Sequence, residues 1–365
     1  MIREENVLLD IPSPKKITRT VSVFYNPLMK ENRDLTVEIY KVYVAQKKQP
    51  QTTILLPLEG TGVRGIRIQK ALPDVCVKYN DISPTAVSYI QKHLKLNKVQ
   101  DNFEVTQLPA DMFLLKQKMS DIIDIDPYGT PNPFLDAAAK RIKHGGLLSV
   151  TATDTAALCG SSKNAARRKY GLYSHKHIPW KHELGVRTLI AHVQRIGAQF
   201  ERALIPVLSY VKDHYYRVFF LAHSQKKKID RELDLHQYCY FTHCGKWDFS
   251  QTGFTDKVVV GPLYTGKLYD ADFFVNSDFF TETASFPWKK WLDQYVDEMQ
   301  MQIVGTYVIP LIAQHEQISQ IPSYAKIIDA IHKRGYEASR SVFEKEAIRS
   351  TIPYEELYEI LVSGL

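Results

Sequence analysis

Short apolar runs of strand length alternate with helical patterns through the first 225 residues. Residues 52–58 form the first such run, residues 66–72 read as a helix ended by Pro73, and residues 75–79 read as a second strand. Ser83 and Pro84 then supply an N-cap and a first helical position for a helix running to about Leu96. Residues 121–125 read as a strand, 134–142 as a helix and 146–151 as a further strand. This alternation predicts βαβ units, an α/β fold whose parallel sheet carries helices on both faces. After the β-like run 215–221, the polar, basic stretch 224–228 marks a domain boundary or a hairpin loop beside it. Beyond it the pattern changes. Residues 233–275 are aromatic-rich with short strand-like runs; 288–301, 323–332 and 353–361 look helical, and 336–343 reads as a strand pair. A helix–helix–wing order of this kind suits a winged-helix-like part. The expected division is 1–225 for the first domain and 226–365 for a smaller α+β C-terminal domain.

Length and composition narrow the class. A chain of 365 residues has room for two domains or three. With 44% hydrophobic and 24% charged residues it can bury a core, which excludes a disordered chain. No run of about 18 apolar residues is present, so no membrane span is expected. The first residues, MIREENVLLD, carry early acids and no apolar stretch, against a signal peptide. Four cysteines are too few for a disulfide scaffold and fit a reduced, cytoplasmic setting. Lys and Arg total 47 against 40 Asp and Glu, a net charge of +7 that suits a polyanionic partner without requiring one.

Gly60-Thr61-Gly62-Val63-Arg64-Gly65 follows the first strand and opens a helix. Glycines there permit a tight turn and close approach of a ligand to the backbone. Asp81 stands just past the second strand, where a carboxylate can accept hydrogen bonds from both hydroxyls of a ribose. The pattern points to an adenosine-containing cofactor and leaves NAD(P) and S-adenosylmethionine both open.

Asp126-Pro127-Tyr128-Gly129 follows the strand 121–125. Ligands of open parallel sheets bind beyond the carboxyl ends of strands, so Asp126 should face the pocket that the glycine turn lines. Pro127 stiffens the loop. The Asp126 carboxylate and nearby carbonyls form a row of acceptors suited to the two N–H donors of a planar exocyclic amine, and Tyr128 offers a face on which an extruded base can stack. The guanine amine is a poor nucleophile because its lone pair is delocalised into the ring. Hydrogen bonds to Asp126 can aim that lone pair at a sulfonium methyl, and Asp126 can take the surplus proton.

Taken together, these segments resemble the tRNA guanine-26 N2-dimethyltransferase family. Residues 24–35 (FYNPLMKENRDL) are similar to the family's N-terminal signature. The glycine turn, Asn80-Asp81-Ile82-Ser83, and Asp126-Pro127-Tyr128-Gly129 follow in family order. So do Thr151-Ala152-Thr153-Asp154, Leu158-Cys159-Gly160 and His182-Glu183-x-Gly185-x-Arg187. Tyr210-x-x-Asp213-His214-Tyr215, Gly261-Pro262-Leu263 and the run 335–340 (GYEASR) complete the set, so the match spans nearly the whole chain. The resemblance implies a class I methyltransferase domain plus a family-specific C-terminal domain. It implies transfer of one or two methyls from S-adenosylmethionine to the N2 amine of guanine-26 in tRNA. By motif position it places Arg33 and Arg64 at the methionine end of the cofactor, Asp81 at its ribose, and Asp111 and Met112 beside its adenine. Gly60 and Gly62 shape the cofactor turn, Asp126 is the catalytic carboxylate, and Phe24 and Tyr128 sandwich the base. Three departures stand out. Tyr128 replaces a common Phe, Ser341-Val342-Phe343 replaces a frequent T-H-F, and the cysteine-rich metal site of some members is reduced to Cys239 and Cys244.

Other groups take plainer readings. His236, Cys239, His243 and Cys244 could suggest zinc, but adjacent His243 and Cys244 are awkward for one tetrahedron, so packing is expected and no metal. Cys76 reads as core, and Cys159 lacks a base. His182-Glu183 reads as structural. Given the RNA reading, Lys163, Arg167, Arg168 and Lys169 are expected to contact tRNA phosphates, as could His332-Lys333-Arg334 with Arg340. A monomer is expected. The rival readings are an S-adenosylmethionine-dependent amine methyltransferase acting on another nucleic-acid base or a protein amide, and a non-catalytic RNA-binding protein.

Overall fold

The computed structural model describes residues 1–11, 25–47, 51–174, 179–242, 246–251 and 259–363. Phe24, His243 and Cys244 lie outside the described residues. A hairpin of β1 (Ile2–Glu4) and β2 (Val7–Leu9) precedes helix α1 (Lys30–Gln46). Then β3 (Thr53–Leu56), α2 (Val63–Ala71), β4 (Cys76–Asn80), α3 (Pro84–Leu96) and β5 (Phe103–Thr106) alternate. They are followed by α4 (Ala110–Lys116), β6 (Ser120–Ile125), α5 (Asn132–Arg141) and β7 (Ile142–Ala152). Helices α6 (Thr155–Leu158), α7 (Lys163–Tyr170) and α8 (Lys181–Gln199) lead to β8 (Ala203–Lys212) and β9 (Tyr215–His223).

The seven strands form one sheet in the order β5-β4-β3-β6-β7-β9-β8. The first five run parallel; β9 is antiparallel to both neighbours. The expected α/β architecture is therefore present, with an antiparallel pair at one edge. Strand β6 shows why an all-apolar run belongs in the middle: Ile122, Ile123 and Ile125 are wholly buried. Its acids are buried too, and each has a partner. Asp121 accepts from the Thr53 N–H and from Lys143, and Asp124 accepts from Arg217. The Ser83 hydroxyl caps α3 as expected, accepting from the Ala86 N–H. Helix α2 starts three residues earlier than the pattern suggests, because Gly62 at φ +81° turns the chain straight into it.

The stretch 224–228 is not simply a loop: Lys226–Lys228 are the first turn of α9 (Lys226–Asp234), whose Ile229 and Glu232 are buried. Strands β10 (His236–Phe241), β11 (Trp247–Ser250) and β12 (Val259–Tyr264) form a small antiparallel sheet. Helices α10 (Ala271–Phe274), α11 (Phe279–Glu282) and α12 (Lys289–Gln300) follow. One hydrophobic cluster unites the seven-stranded sheet with this region, from Val7 to Met299 and Phe343. A second cluster, from Ile309 to Leu361, belongs to β13 (Tyr307–Val308), α13 (Ile309–His315), α14 (Tyr324–Lys333), β14 (Ala338–Arg340), β15 (Ala347–Ser350) and α15 (Tyr354–Val362). The helix–helix–wing order is present, but the strand partner of 338–340 is 347–350, beyond the expected 336–343. Ser341 explains the shift. Its hydroxyl accepts from the Phe343 and Glu344 N–H groups, turning the chain while Phe343 is buried.

Buried charges join this module to α8 and α12. Glu183 of α8 accepts from Arg187 at 2.8 Å and from Arg349 at 2.7 Å, and Glu298 accepts from Arg349 at 2.9 Å. His182 donates its backbone N–H to Glu344. No helix among the described residues is long and apolar enough to cross a membrane.

Candidate active site

Strand order reverses between β3 and β6, where adjacent carboxyl ends open a crevice. The glycine turn leaves β3 and the Asp126 loop leaves β6, so two motifs far apart in sequence meet there. Gly60 and Gly62 have φ of +58° and +81°, a region that side chains disfavour. Gly65 serves packing, since a Cβ on it would fall 2.2 Å from the Tyr79 ring. Asp81 closes the turn from the β4 side. Its two carboxylate oxygens accept from the Gly60 and Ser83 N–H groups, each at 2.9 Å, and each keeps a lone pair for a ligand hydroxyl.

Arg64 reaches from the first turn of α2 to Asp126. Its Nη2 donates to Asp126 Oδ2, its Nη1 donates to Thr36 Oγ1 at 3.0 Å, and Asp124 lies 3.5 Å away. Among the described residues no donor meets Asp126 Oδ1, and the Asp126 side chain is 20% exposed. Below it, Asp124 is sealed. Arg217 donates to both its oxygens, at 2.7 and 2.9 Å, and the Tyr40 hydroxyl donates at 3.0 Å. Burial pushes the Asp124 carboxyl up, and Arg217 with Arg64 outweighs that, holding it below the usual carboxylate range. Arg217 also donates to Thr151 and to Thr36.

The remaining expected cofactor residues divide. Arg33 is buried against Glu4, its Nε and Nη2 donating at 2.7 and 2.5 Å, with Tyr25 beneath the guanidinium. Burial raises the Glu4 carboxyl, but Arg33 and Arg67 bring it down to about 2. Asp111 and Met112 are exposed on the first turn of α4. The segment leading there is tied to β4 by Asn80, which exchanges two hydrogen bonds with Leu108. Tyr128 is 67% exposed beyond Asp126. Lys163, Arg167 and Arg168 are exposed on α7, whereas Lys169 is half-buried and ion-paired with Asp154 at 3.0 Å.

Several residues that carry the site escaped the sequence reading. Glu59 is buried and accepts from the Gly65 N–H at 2.8 Å. Burial raises its carboxyl to about 8 despite that N–H and Arg64. His93 takes the Asp10 N–H on Nε2, so its Nδ1 carries the hydrogen and donates to the Thr61 carbonyl at 2.7 Å, fixing the turn from below. Glu59 stands immediately before the first glycine, a position that could have drawn attention; His93 gives no local signal.

Of the four possible metal ligands, His243 and Cys244 lie outside the described residues. His236 bonds Gln194 at 2.7 Å, Cys239 is buried, and among the described residues no group of three or more His, Cys, Asp or Glu is placed to hold a metal.

Comparison with known proteins agrees along the whole chain. The family model for N2,N2-dimethylguanosine tRNA methyltransferase matches residues 5–362. A tRNA (guanine(26)-N(2))-dimethyltransferase of Methanosphaera stadtmanae is 32% identical over 99% of this chain and 96% of its own. A tRNA (guanine(26)-N(2)/guanine(27)-N(2))-dimethyltransferase of Aquifex aeolicus is 32% identical over 94% and 91%. The solved structure of Trm1 from Pyrococcus horikoshii in complex with S-adenosyl-L-methionine superposes with a TM-score of 0.88 at 29% identity, covering 99% of both chains.

Proposed function

The chain belongs to the N2,N2-dimethylguanosine tRNA methyltransferase family, and from that premise we propose that Asp126 is the carboxylate that orients the reacting amine. The protein is an S-adenosylmethionine-dependent enzyme that methylates the N2 amine of guanine in tRNA. We assign guanine-26 as the target and one or two methyls as the product.

The donor set suits the cofactor. Asp81 retains acceptor capacity for a ribose diol and the glycine turn admits close backbone approach; the family motif assigns Arg64 and Arg33 to the methionine carboxylate, with Arg33 held in a two-point pair by Glu4 and Arg64 engaged by Asp126 and Thr36. Asp111 and Met112 flank the adenine in this reading. When bound, S-adenosylmethionine supplies a methyl on positively charged sulfur, transferred as its carbon–sulfur bond breaks.

The single observation that carries the reading is the division of labour on Asp126. Arg64 holds Oδ2, while Oδ1 meets no donor among the described residues and the side chain is 20% exposed. Oδ1 accepts one N–H of the amine and so aims the nitrogen lone pair, a positioning effect. It then takes the proton released as the new C–N bond forms and passes it to water. The base must first leave its stack, at a cost of about a few kcal/mol. Tyr128 receives one face, and Phe24 is assigned the other. The exposed Lys163, Arg167 and Arg168, with Lys169 behind them, are read as phosphate contacts. We read 1–225 as the methyltransferase domain, 226–365 as a C-terminal domain adding tRNA contacts, and the protein as a cytoplasmic monomer.

Incubation with unmodified tRNA and labelled S-adenosylmethionine, followed by nucleoside analysis, tests the assignment. Label should enter N2-methyl- and N2,N2-dimethylguanosine and vanish when guanine-26 is replaced by adenine. Label in another nucleoside, or undiminished in that variant tRNA, overturns it.

A further inference from the structure

Thr151-Ala152-Thr153-Asp154 leaves the carboxyl end of β7, next to the Asp126 loop. Its last two residues grip that loop. Thr153 exchanges two hydrogen bonds with Gly129: its backbone N–H donates to the Gly129 carbonyl at 2.9 Å, and its hydroxyl accepts from the Gly129 N–H at 2.8 Å. Asp154 works through side chains. Its Oδ1 accepts from the buried Tyr170 hydroxyl at 2.6 Å, and that hydroxyl lies 3.0 Å from Thr130 Oγ1 on the loop. Its Oδ2 accepts from Lys169 at 3.0 Å. Asn132, just past the loop, donates to the Lys169 carbonyl at 2.8 Å. Tyr170 and Lys169 are the last residues of α7, the helix whose outer face exposes Lys163, Arg167 and Arg168. From below, Arg195 donates to the Tyr170 carbonyl at 2.6 Å.

We infer that Asp154 is a positioning residue: through Tyr170 and Thr130 it locks the loop bearing Asp126 and Tyr128 to α7, so that RNA backbone held by α7 and the base presented to Asp126 share one rigid frame. The inference rests on the Asp126 reading and on α7 as the phosphate contact. In this inference Asp154 acts through Tyr170 and Lys169, which its carboxylate binds, and not on the base itself. Its effect falls on the transfer step and on retention of the monomethylated base for a second transfer.

Two variants test it, Asp154→Asn and Tyr170→Phe, the latter removing only the hydroxyl that joins Asp154 to Thr130. Each should lower single-turnover methylation of tRNA about 10- to 100-fold, the scale set by small misplacements of reacting groups. Each should raise the monomethyl share of the product, with S-adenosylmethionine and tRNA dissociation constants within about threefold of the parent. Tyr170→Phe keeps the test alive if Asp154→Asn does not fold. Parent-like rates and product ratios in Tyr170→Phe overturn the inference; so does a loss that tracks cofactor binding and melting temperature together. Asp126→Asn in the same assay separates the readings. If it is inactive while Tyr170→Phe is normal, only the positioning role fails. If it keeps parent-like turnover, the Asp126 reading fails.

Discussion

The cluster beneath the crevice pairs Arg64 and Arg217 with Asp124 and Asp126; the cluster beneath the C-terminal module pairs Arg187 and Arg349 with Glu183 and Glu298. Both set two guanidiniums against two carboxylates in the interior. In the second, every side chain is at most 2% exposed, and backbone groups such as the Gly305 and Val342 N–H complete the acids' bonding. In the first, Asp124 and Arg217 are sealed, but Asp126 is 20% exposed and one of its oxygens, Oδ1, meets no donor among the described residues. The same chemistry thus gives a weld in one place and a binding end in the other. The difference is whether one carboxylate oxygen is left for a ligand.

Breaking the weld should have the largest effect on stability. Arg349→Ala leaves Glu183 and Glu298 buried without their shared partner and should cost about 3–5 kcal/mol, read as a fall in the urea midpoint. Methyl transfer by the folded fraction should stay near the parent rate. An unchanged midpoint would put the two clusters on an equal footing.

Glu59 sharpens the comparison from the other side, because the open cluster carries this additional acid. Its carboxyl is raised to about 8 in the fold, against about 4.5 in the unfolded chain. The folded protein therefore holds this proton more tightly. The stability it contributes is complete below about pH 4.5 and is lost as pH rises through 8. Glu59→Gln removes that dependence. The variant should gain stability relative to the parent between pH 5 and 9, by about 4 kcal/mol over that span. Comparison of the two proteins isolates Glu59 from Glu4, whose carboxyl, lowered to about 2, shifts stability at acid pH in the opposite sense. A parent-to-variant difference that is flat with pH would contradict the assignment.

The smallest effect belongs to the exposed rim. Tyr128→Ala should weaken productive tRNA binding by about 1 kcal/mol, near the low end for base stacking, without moving the urea midpoint. A fall in the midpoint would make Tyr128 part of the scaffold.

What the sequence displayed and what it hid follow the same division. Strands β3, β4, β6 and β7 were legible as short apolar runs bounded by Gly and Pro. Asp81 and Asp126 were legible because the ends of parallel strands are where ligands bind. Helices α1 and α8 went unread. Each buries polar residues among its apolar ones, among them Asn32, Arg33, Asp34, Thr36 and Glu38 in α1 and Glu183, Arg187 and Gln194 in α8, which blurs the apolar stripe that betrays a helix. The support of Asp126 was hidden for a related reason. Asp124 meets Arg217 across 93 positions, and His93 meets Asp10 across 83; such pairings exist only once the chain has folded.

Asp126→Asn, assayed for both cofactor binding and a single turnover on tRNA, tests the central claim most directly. Asn keeps the size of the side chain and removes the charge that aims the amine and takes its proton. The S-adenosylmethionine dissociation constant should stay within about threefold of the parent, while the transfer rate falls about 10²- to 10⁴-fold. A rate within tenfold of the parent at unchanged affinity would show that the Asp126 carboxylate does not govern the reaction.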